Sequence, residues 1–330
     1  MPLPSASPLH PFPRIILSAP SSDAGKTTVA IGLIAALRRR GLRVSAAKVG
    51  PDFIDAAHLA RASGAAVRNL DPWLAPESAV LEAFARGAVD ADVSIIEGVM
   101  GLFDGRHGSG DGSTAHAARV LDAPVVLVLD CAKASSTIGA IAYGLARYDP
   151  RLRVAGAILN RTASARHAAT IRDACAAAEV PVLGVIPRDP RLALPSRHLG
   201  LAGPDEEGSA AARDAAADAV REGVDLDALL ALARSARPLS TPPRRLPPPL
   251  AARVAIARDE AFWFYDESSL ETLRDGGAEL VPYSPLRDPF PRVDAAFIGG
   301  GYPELHASAL EANVAARTGL RDAITAGMPA

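Results

Sequence analysis

From Arg14 to Ile186 one pattern recurs: a short run that is apolar along its whole length, followed by a longer amphipathic one. The short runs are RIILSA, RVSAAKV, DVSIIEGV, PVVLVLD, RVAGAILN and PVLGVI. Between them lie GKTTVAIGLIAALRRR, TAHAARVLD, the segment from Ser135 to Arg147, and SARHAATIRDACAAA. A strand with one wet face alternates polar and apolar residues, so strands that are apolar throughout are covered on both faces, and the helical runs supply the cover. The pattern predicts an α/β domain built on a doubly wound, mostly parallel sheet.

The chain has 330 residues, more than the roughly 250 to 300 at which a single core stops growing, so two units are expected. Hydrophobic residues make up 49% and aromatics only 5%, with alanine prominent, which suits helices packed closely on a sheet. The stretch ARSARPLSTPPRRLPPPLAA is too rich in proline for helix or strand and reads as an extended connector. The expected division is a flexible tail over 1–13, a first domain over 14–233, a linker over 234–252 and a second domain over 253–330.

A formal net charge of −2 gives no general electrostatic reason to bind nucleic acid or an anionic membrane, so neither is expected as a partner. The tail MPLPSASPLHPFP lacks the basic and apolar regions of a signal peptide, and no run approaches the ~18 apolar residues of a membrane helix. Cys131 and Cys175 lie in apolar or alanine-rich runs with no CxxC, as buried thiols in a reducing compartment would. A cytoplasmic protein is expected.

The first chemical signal is PSSDAGKTT between the strand RIILSA and a helix. Glycine, lysine and a hydroxyl residue at a helix start set backbone N–H groups, a cation and a magnesium-binding hydroxyl around a triphosphate. Gly25, Lys26, Thr27 and Thr28 are therefore nucleotide-binding candidates, with Lys26 on the β- and γ-phosphates and Thr27 on Mg²⁺. Pro20 stands where the usual loop opens with glycine, so this loop is a variant.

AAKVGPDFIDAAH then sets Lys48, Asp52 and Asp55 at a strand's carboxyl end, where open α/β sheets bind ligands. DVSIIEGVMGLFDG ends its strand at Glu97 and carries Asp104 into a glycine-punctuated loop; an acid at such a strand end commonly orients Mg²⁺.

SSDAGKTT, KVGPDFID, RNLDPW, EGVMGLFDG, ILNR and PSRHLGL, in that order, resemble the cobyrinate or hydrogenobyrinate a,c-diamide synthase family of cobalamin biosynthesis, ATP-dependent ligases related to dethiobiotin synthetase. The resemblance implies ATP and Mg²⁺ as cofactors. It also implies a corrinoid carboxylate activated as an acyl phosphate and then attacked by ammonia.

It makes Thr27, Asp52 and Glu97 the metal candidates and Lys48 a contact to phosphate or substrate carboxylate, and it puts Asp55 and Asp104 near the reacting carboxylate. Asn160, in ILNR, either reads adenine or caps its strand end. Arg188, Arg197 and His198 belong to a segment that would close over a ligand, with His198 a base or a structural histidine. Asp23 occupies a loop position that is often glycine in this family, which sets a carboxylate near the phosphates.

RVAIARDEAFWFY, GAELVPYSPLRD and FIGGGYPE resemble the start of a class I glutamine amidotransferase domain. In that family the glycine loop contributes to an oxyanion hole, for which Gly300 and Gly301 are the candidates here; no Lys-Ser/Thr follows to make it a phosphate loop. No cysteine follows to stand on a strand-to-helix elbow, and so no histidine comes after one. The chain as given is therefore expected to be truncated within this domain, to lack the glutaminase nucleophile, and to use ammonia where the complete enzymes use glutamine.

Two alternatives stand beside this reading. One is a nickel-sirohydrochlorin a,c-diamide synthase; the other, from a different class, is a ParA/MinD-like ATPase switch, whose loop usually carries an additional lysine absent from PSSDAGK. A homodimer is compatible with the sequence.

Overall fold

Ile15 and Leu17 project from one face of strand β2 (Arg14–Ser18) and Ile16 from the other, and all three are fully buried. The same division repeats along the neighbouring strands: Ile95 and Ile96 are buried on opposite faces, as are Val126 and Leu127, and Ile158 and Leu159. Two apolar layers thus sandwich one sheet, as strands without a polar face require.

The computed structural model describes residues 9–197, 200–242 and 246–330 and divides into two compact units, 1–243 and 244–330. In the first, seven parallel strands take the order β4-β3-β5-β2-β6-β7-β8. Besides β2 these are β3 (Val44–Val49), β4 (Arg68–Leu70), β5 (Val93–Glu97), β6 (Val125–Asp130), β7 (Val154–Thr162) and β8 (Val182–Pro187). One face is covered by α1 (Lys26–Arg39), α2 (Phe53–Ser63), α7 (Ser209–Gly223) and α8 (Leu226–Arg234). The other carries α3 (Glu77–Ala88), α4 (Thr114–Val120), α5 (Thr137–Arg147) and α6 (Ala165–Ala177). Strand β4 was not legible in the sequence because it is only three residues long and half polar, so it shows no periodicity.

The tail and linker expectations need correction. Strand β1 (Leu9–His10) pairs antiparallel with β11 (Leu239–Ser240), while Phe12 and Leu239 are buried in the core. Prolines flank these two short strands without occupying them, so no ladder donor is lost. The Arg14 guanidinium completes the closure: wholly buried, it donates to the carbonyls of Leu121, Phe12, Asp122 and Arg237 at 2.6 to 3.1 Å. Burial lowers its pKa to about 10 despite the nearby Asp122. Residues 9–13 and 237–240 are thereby joined to the first unit. A further two-residue ladder joins β9 (Ser196–Arg197) to β10 (Gly200–Leu201).

In the second unit β12 (Arg253–Ala257) lies between β14 (Glu279–Tyr283) and β15 (Ala295–Phe297), all parallel. Val254 and Ile256 pack on one side with Leu270 of α9 (Glu267–Asp275), and Ala255 and Ala257 pack on the other with Tyr283 and Ala296. Strand β13 (Phe262–Phe264) pairs antiparallel with β16 (Gly300–Gly301), and helices α10 (Ala307–Ala312) and α11 (Val314–Thr325) follow. Among the described residues no helix is long and apolar enough to cross a membrane.

Candidate active site

Strand β2 delivers the chain into the loop 19–25, and Lys26 opens α1 directly after Gly25. Gly25 has φ +90°, and a Cβ there would lie 2.3 Å from Asn160 Nδ2, so both conformation and space demand glycine. Asn160, at the carboxyl end of β7, donates its amide to the Ala24 carbonyl (2.9 Å) and accepts from the Arg161 N–H (3.0 Å). Its amide therefore braces the loop. Arg161 adds a second brace, with its guanidinium on the Asp23 carbonyl (2.7 Å) and on the Asp130 carboxylate (2.8 Å). Although ILNR was recognised, sequence reasoning missed the part played by Arg161; its cue was a cation beside the Asn, at a strand end.

Lys26 is buried, and its ammonium donates to the carbonyls of Ser21 (2.9 Å) and Met100 (2.7 Å), linking the loop to the turn after β5. Burial and the neighbouring Lys48 lower its pKa, opposed by Glu97, Asp55 and Asp23. The Asp23 carboxylate is thus an electrostatic partner for the loop lysine, which offsets the repulsion expected of an acid in that position.

Strand order explains the next cluster. Because β3 and β5 are neighbours in register, Lys48 lies opposite Glu97. The Lys48 ammonium donates to the Gly98 carbonyl (2.9 Å) and sits 3.2 Å from Asp55 and 3.7 Å from Glu97. Lys48 and Glu97 are almost wholly buried. Burial depresses the Lys48 pKa, but the surrounding carboxylates of Glu97, Asp55 and Asp52 outweigh it and the net shift is upward. Burial raises Asp55, opposed by Lys48 and reinforced by Asp52. It raises Glu97 to about 7, with Lys48 pulling it down.

Glu97 Oε1 accepts from the Thr27 hydroxyl at 2.5 Å, while its Oε2 is buried with no hydrogen-bond partner. A buried carboxylate oxygen left without a donor is costly unless something else satisfies it. Thr27 and Glu97 therefore suit a hard divalent cation that takes its other oxygens from phosphate and water. Asp52, the third metal candidate, caps α2 through one oxygen, Oδ1, which accepts from the Ile54 and Asp55 N–H groups (2.9 and 3.0 Å). Among the described residues no three His, Cys, Asp or Glu side chains gather as a metal cluster.

Asp104 is exposed and closes the turn after Glu97, accepting from the Gly101 N–H (2.8 Å). The Leu102 N–H donates to the Ala19 carbonyl, so this turn packs on the phosphate-type loop. Thr28 is half-buried on α1. Arg188 is exposed beyond β8 and joins the sheet through its backbone N–H on Thr162 O (2.9 Å), away from the cluster of carboxylates. His198 and the Arg197 side chain lie outside the described residues.

Residues 15–201 match the CobQ/CobB/MinD/ParA nucleotide binding domain, and residues 253–330 match the CobB/CobQ-like glutamine amidotransferase domain. Hydrogenobyrinate a,c-diamide synthase of Streptomyces coelicolor is 42% identical, with 96% of this chain and 74% of that protein aligned. Cobyrinate a,c-diamide synthase of Dehalococcoides mccartyi is 41% identical over 96% of this chain and 71% of the relative. Hydrogenobyrinate a,c-diamide synthase of Rhizobium meliloti is 47% identical over 90% and 69%. The chain belongs to the cobyrinate/hydrogenobyrinate a,c-diamide synthase family. In this family a nucleotide-binding domain precedes a glutamine amidotransferase domain, and both are represented here.

Within the amidotransferase-type unit, the glycine triplet is held by close contacts. The Gly299 N–H donates to the Tyr265 hydroxyl (2.9 Å), and Gly300 and Gly301 pair with Phe264 and Phe262. A Cβ at Gly301, φ +157°, would lie 2.0 Å from the Ala261 carbonyl. Only glycine permits this approach.

Proposed function

We propose that the chain is an ATP-dependent ligase that converts the a and c side-chain carboxylates of cobyrinate or hydrogenobyrinate into amides in cobalamin biosynthesis, with ammonia as the attacking nitrogen and glutamine as its source in the family. The observation that carries this is the cluster of buried Lys48 and Glu97 with half-buried Asp55 beside Thr27 and Lys26, in a chain 41 to 47% identical to the synthases named above.

A carboxylate is a poor electrophile because amide formation would expel oxide. In the proposed reaction a substrate carboxylate oxygen attacks the γ-phosphorus of ATP and ADP leaves; ammonia then attacks the acyl carbon and phosphate leaves with the C–O bond electrons. Phosphoryl transfer of this kind depends on positioning and charge neutralisation. In this reading Lys26 exchanges its two carbonyl partners for phosphate oxygens. Thr27 and Glu97 would hold Mg²⁺, which when bound supplies positive charge at the phosphates. Lys48 orients the substrate carboxylate at the strand ends. Asp55, raised by burial, takes the proton released as ammonia becomes an amide. Asn160 and Arg161 keep the loop's backbone N–H groups in place, and Gly300 and Gly301 serve the glutamine-handling unit.

The test is amide formation by this 330-residue chain from each acid with ATP, Mg²⁺ and ammonia, followed by mass spectrometry. A gain of two amides on either macrocycle supports the proposal. No amide on either, with ATP turnover stimulated by DNA or lipid, overturns it in favour of an ATPase switch.

A further inference from the structure

Trp73 stands three positions beyond the end of β4, with about half of its surface exposed (52%). Its backbone is nevertheless fixed: the buried Asp71 carboxylate accepts from the N–H groups of Trp73 (2.8 Å) and Leu74 (3.1 Å). A large apolar side chain held rigidly and left in water is informative in a way that a mobile one is not.

One site loop is tied to the strand that precedes Trp73 and another packs on the residue itself. The Gly50–Asp52 loop is tied to β4 by Asn69, whose amide donates to the carbonyls of Gly50 (2.7 Å) and Asp52 (3.1 Å), and it leads into the Asp55 and Lys48 cluster. The loop that carries Asp104 ends at Gly112, where φ is +74° and a Cβ would lie 3.1 Å from Trp73 Cβ. From that same loop Arg106 sets its guanidinium 5.2 Å from the indole centroid. Among the described residues no carboxylate pairs with Arg106, and Leu74 beside the indole is also exposed.

A corrinoid acid has two apolar faces and a rim of carboxylates. The reacting cluster holds it by only one carboxylate at a time and is itself rich in acids, so the remaining negative charge and the ring face need a separate receiver. We propose that Trp73 and Arg106 form that receiver: the indole lies against the macrocycle face, and the guanidinium pairs with a peripheral carboxylate that is not being amidated. This rests on the function proposed above. An aromatic surface with a planar cation over it offers dispersion contact and bidentate carboxylate recognition in one place.

Steady-state kinetics of the ammonia-dependent reaction test it, using Trp73→Ala, Trp73→Phe, Arg106→Ala and Arg106→Lys. Trp73→Ala and Arg106→Ala are expected to raise the macrocycle KM about tenfold each, with the KM for ATP and kcat at saturating macrocycle within about twofold of the parent chain. Trp73→Phe and Arg106→Lys are expected to fall between. An unchanged macrocycle KM in both alanine variants overturns the proposal, as does an equal loss of ATP affinity, which would mark a structural role. Should Trp73→Ala fail to fold, Trp73→Phe and Arg106→Ala decide. If the parent chain forms no amide from either acid, the functional reading has failed. Equilibrium dialysis of the two acids then judges the platform: binding by the parent that Arg106→Ala weakens about tenfold supports it, and equal or absent binding overturns it.

Discussion

The two ends of the seven-stranded sheet handle charge in opposite ways. At the carboxyl end Lys48 and Glu97 are buried beside the half-buried Asp55, with a Glu97 oxygen that no donor among the described residues satisfies. At the amino end Asp149 receives Arg119 (3.0 Å) and Arg151 (2.8 Å), and Asp122 pairs with Arg237, with the arginine side chains reaching water. The first arrangement costs free energy in the chain alone, and the function proposed above would relieve it by bringing in an anionic ligand with its cation. The second is neutralised where it stands and contributes modestly to stability.

Mutations can break this contrast at either end. The largest effect is expected from Lys26→Met, which removes the loop cation: a loss of about a thousandfold or more in kcat/KM for ATP, or ~4 kcal/mol, measured in the ammonia-dependent assay. Gly25→Ala should weaken nucleotide binding several-hundredfold by calorimetry, because its Cβ has no room beside Asn160. Glu97→Gln comes next, with about a hundredfold loss in kcat and weaker Mg²⁺ dependence.

Glu97→Gln also sharpens the comparison through pH. Burial raises the folded pKa of Glu97 from 4.5 to about 7, so its stabilising contribution is complete below the unfolded value and is lost as pH rises through about 7. In the presence of a chelator, the melting temperature of the parent chain should fall relative to Glu97→Gln between pH 5 and 8; parallel curves would contradict the buried, unsatisfied carboxylate.

Arg161→Ala should raise the nucleotide Kd about tenfold, ~1.4 kcal/mol, with little change in kcat, since it loosens the loop without touching the reacting atoms. The smallest effect belongs to the amino end. Hydrogen bonds from Arg151 hold Asp149 down to about 2, so its contribution is present above about 4 and is lost as pH falls through 2. Asp149→Asn should flatten the acid limb of the stability curve and leave activity at neutral pH unchanged.

Much of this site was legible because its residues stand at strand ends in local motifs. GKTT at a helix start and Glu97 after an apolar run announce their chemistry without any knowledge of strand order. The bracing of the loop by Asn160 and Arg161 was not legible, because their partners lie far away in sequence: Ala24 is 136 positions from Asn160, and Asp23 is 138 from Arg161. Asp52 reads as a metal candidate in the sequence, and the structure adds that one of its carboxylate oxygens also caps a helix by accepting from two of its free N–H groups. The Pro-rich connector misled through composition, since prolines beside Leu239–Ser240 leave a two-residue ladder intact.

By itself the sequence determined the α/β class, the nucleotide loop, the acidic strand ends and the family, because each depends on residues close together in the chain. Only the tertiary structure decided which charges meet. The order β3-β5-β2 puts Lys48 against Glu97 and Glu97 against Thr27, and the approach of β4 to the Asp104 loop sets Arg106 over Trp73. Pairing between strands distant in sequence is set by packing of whole faces, which no local motif encodes.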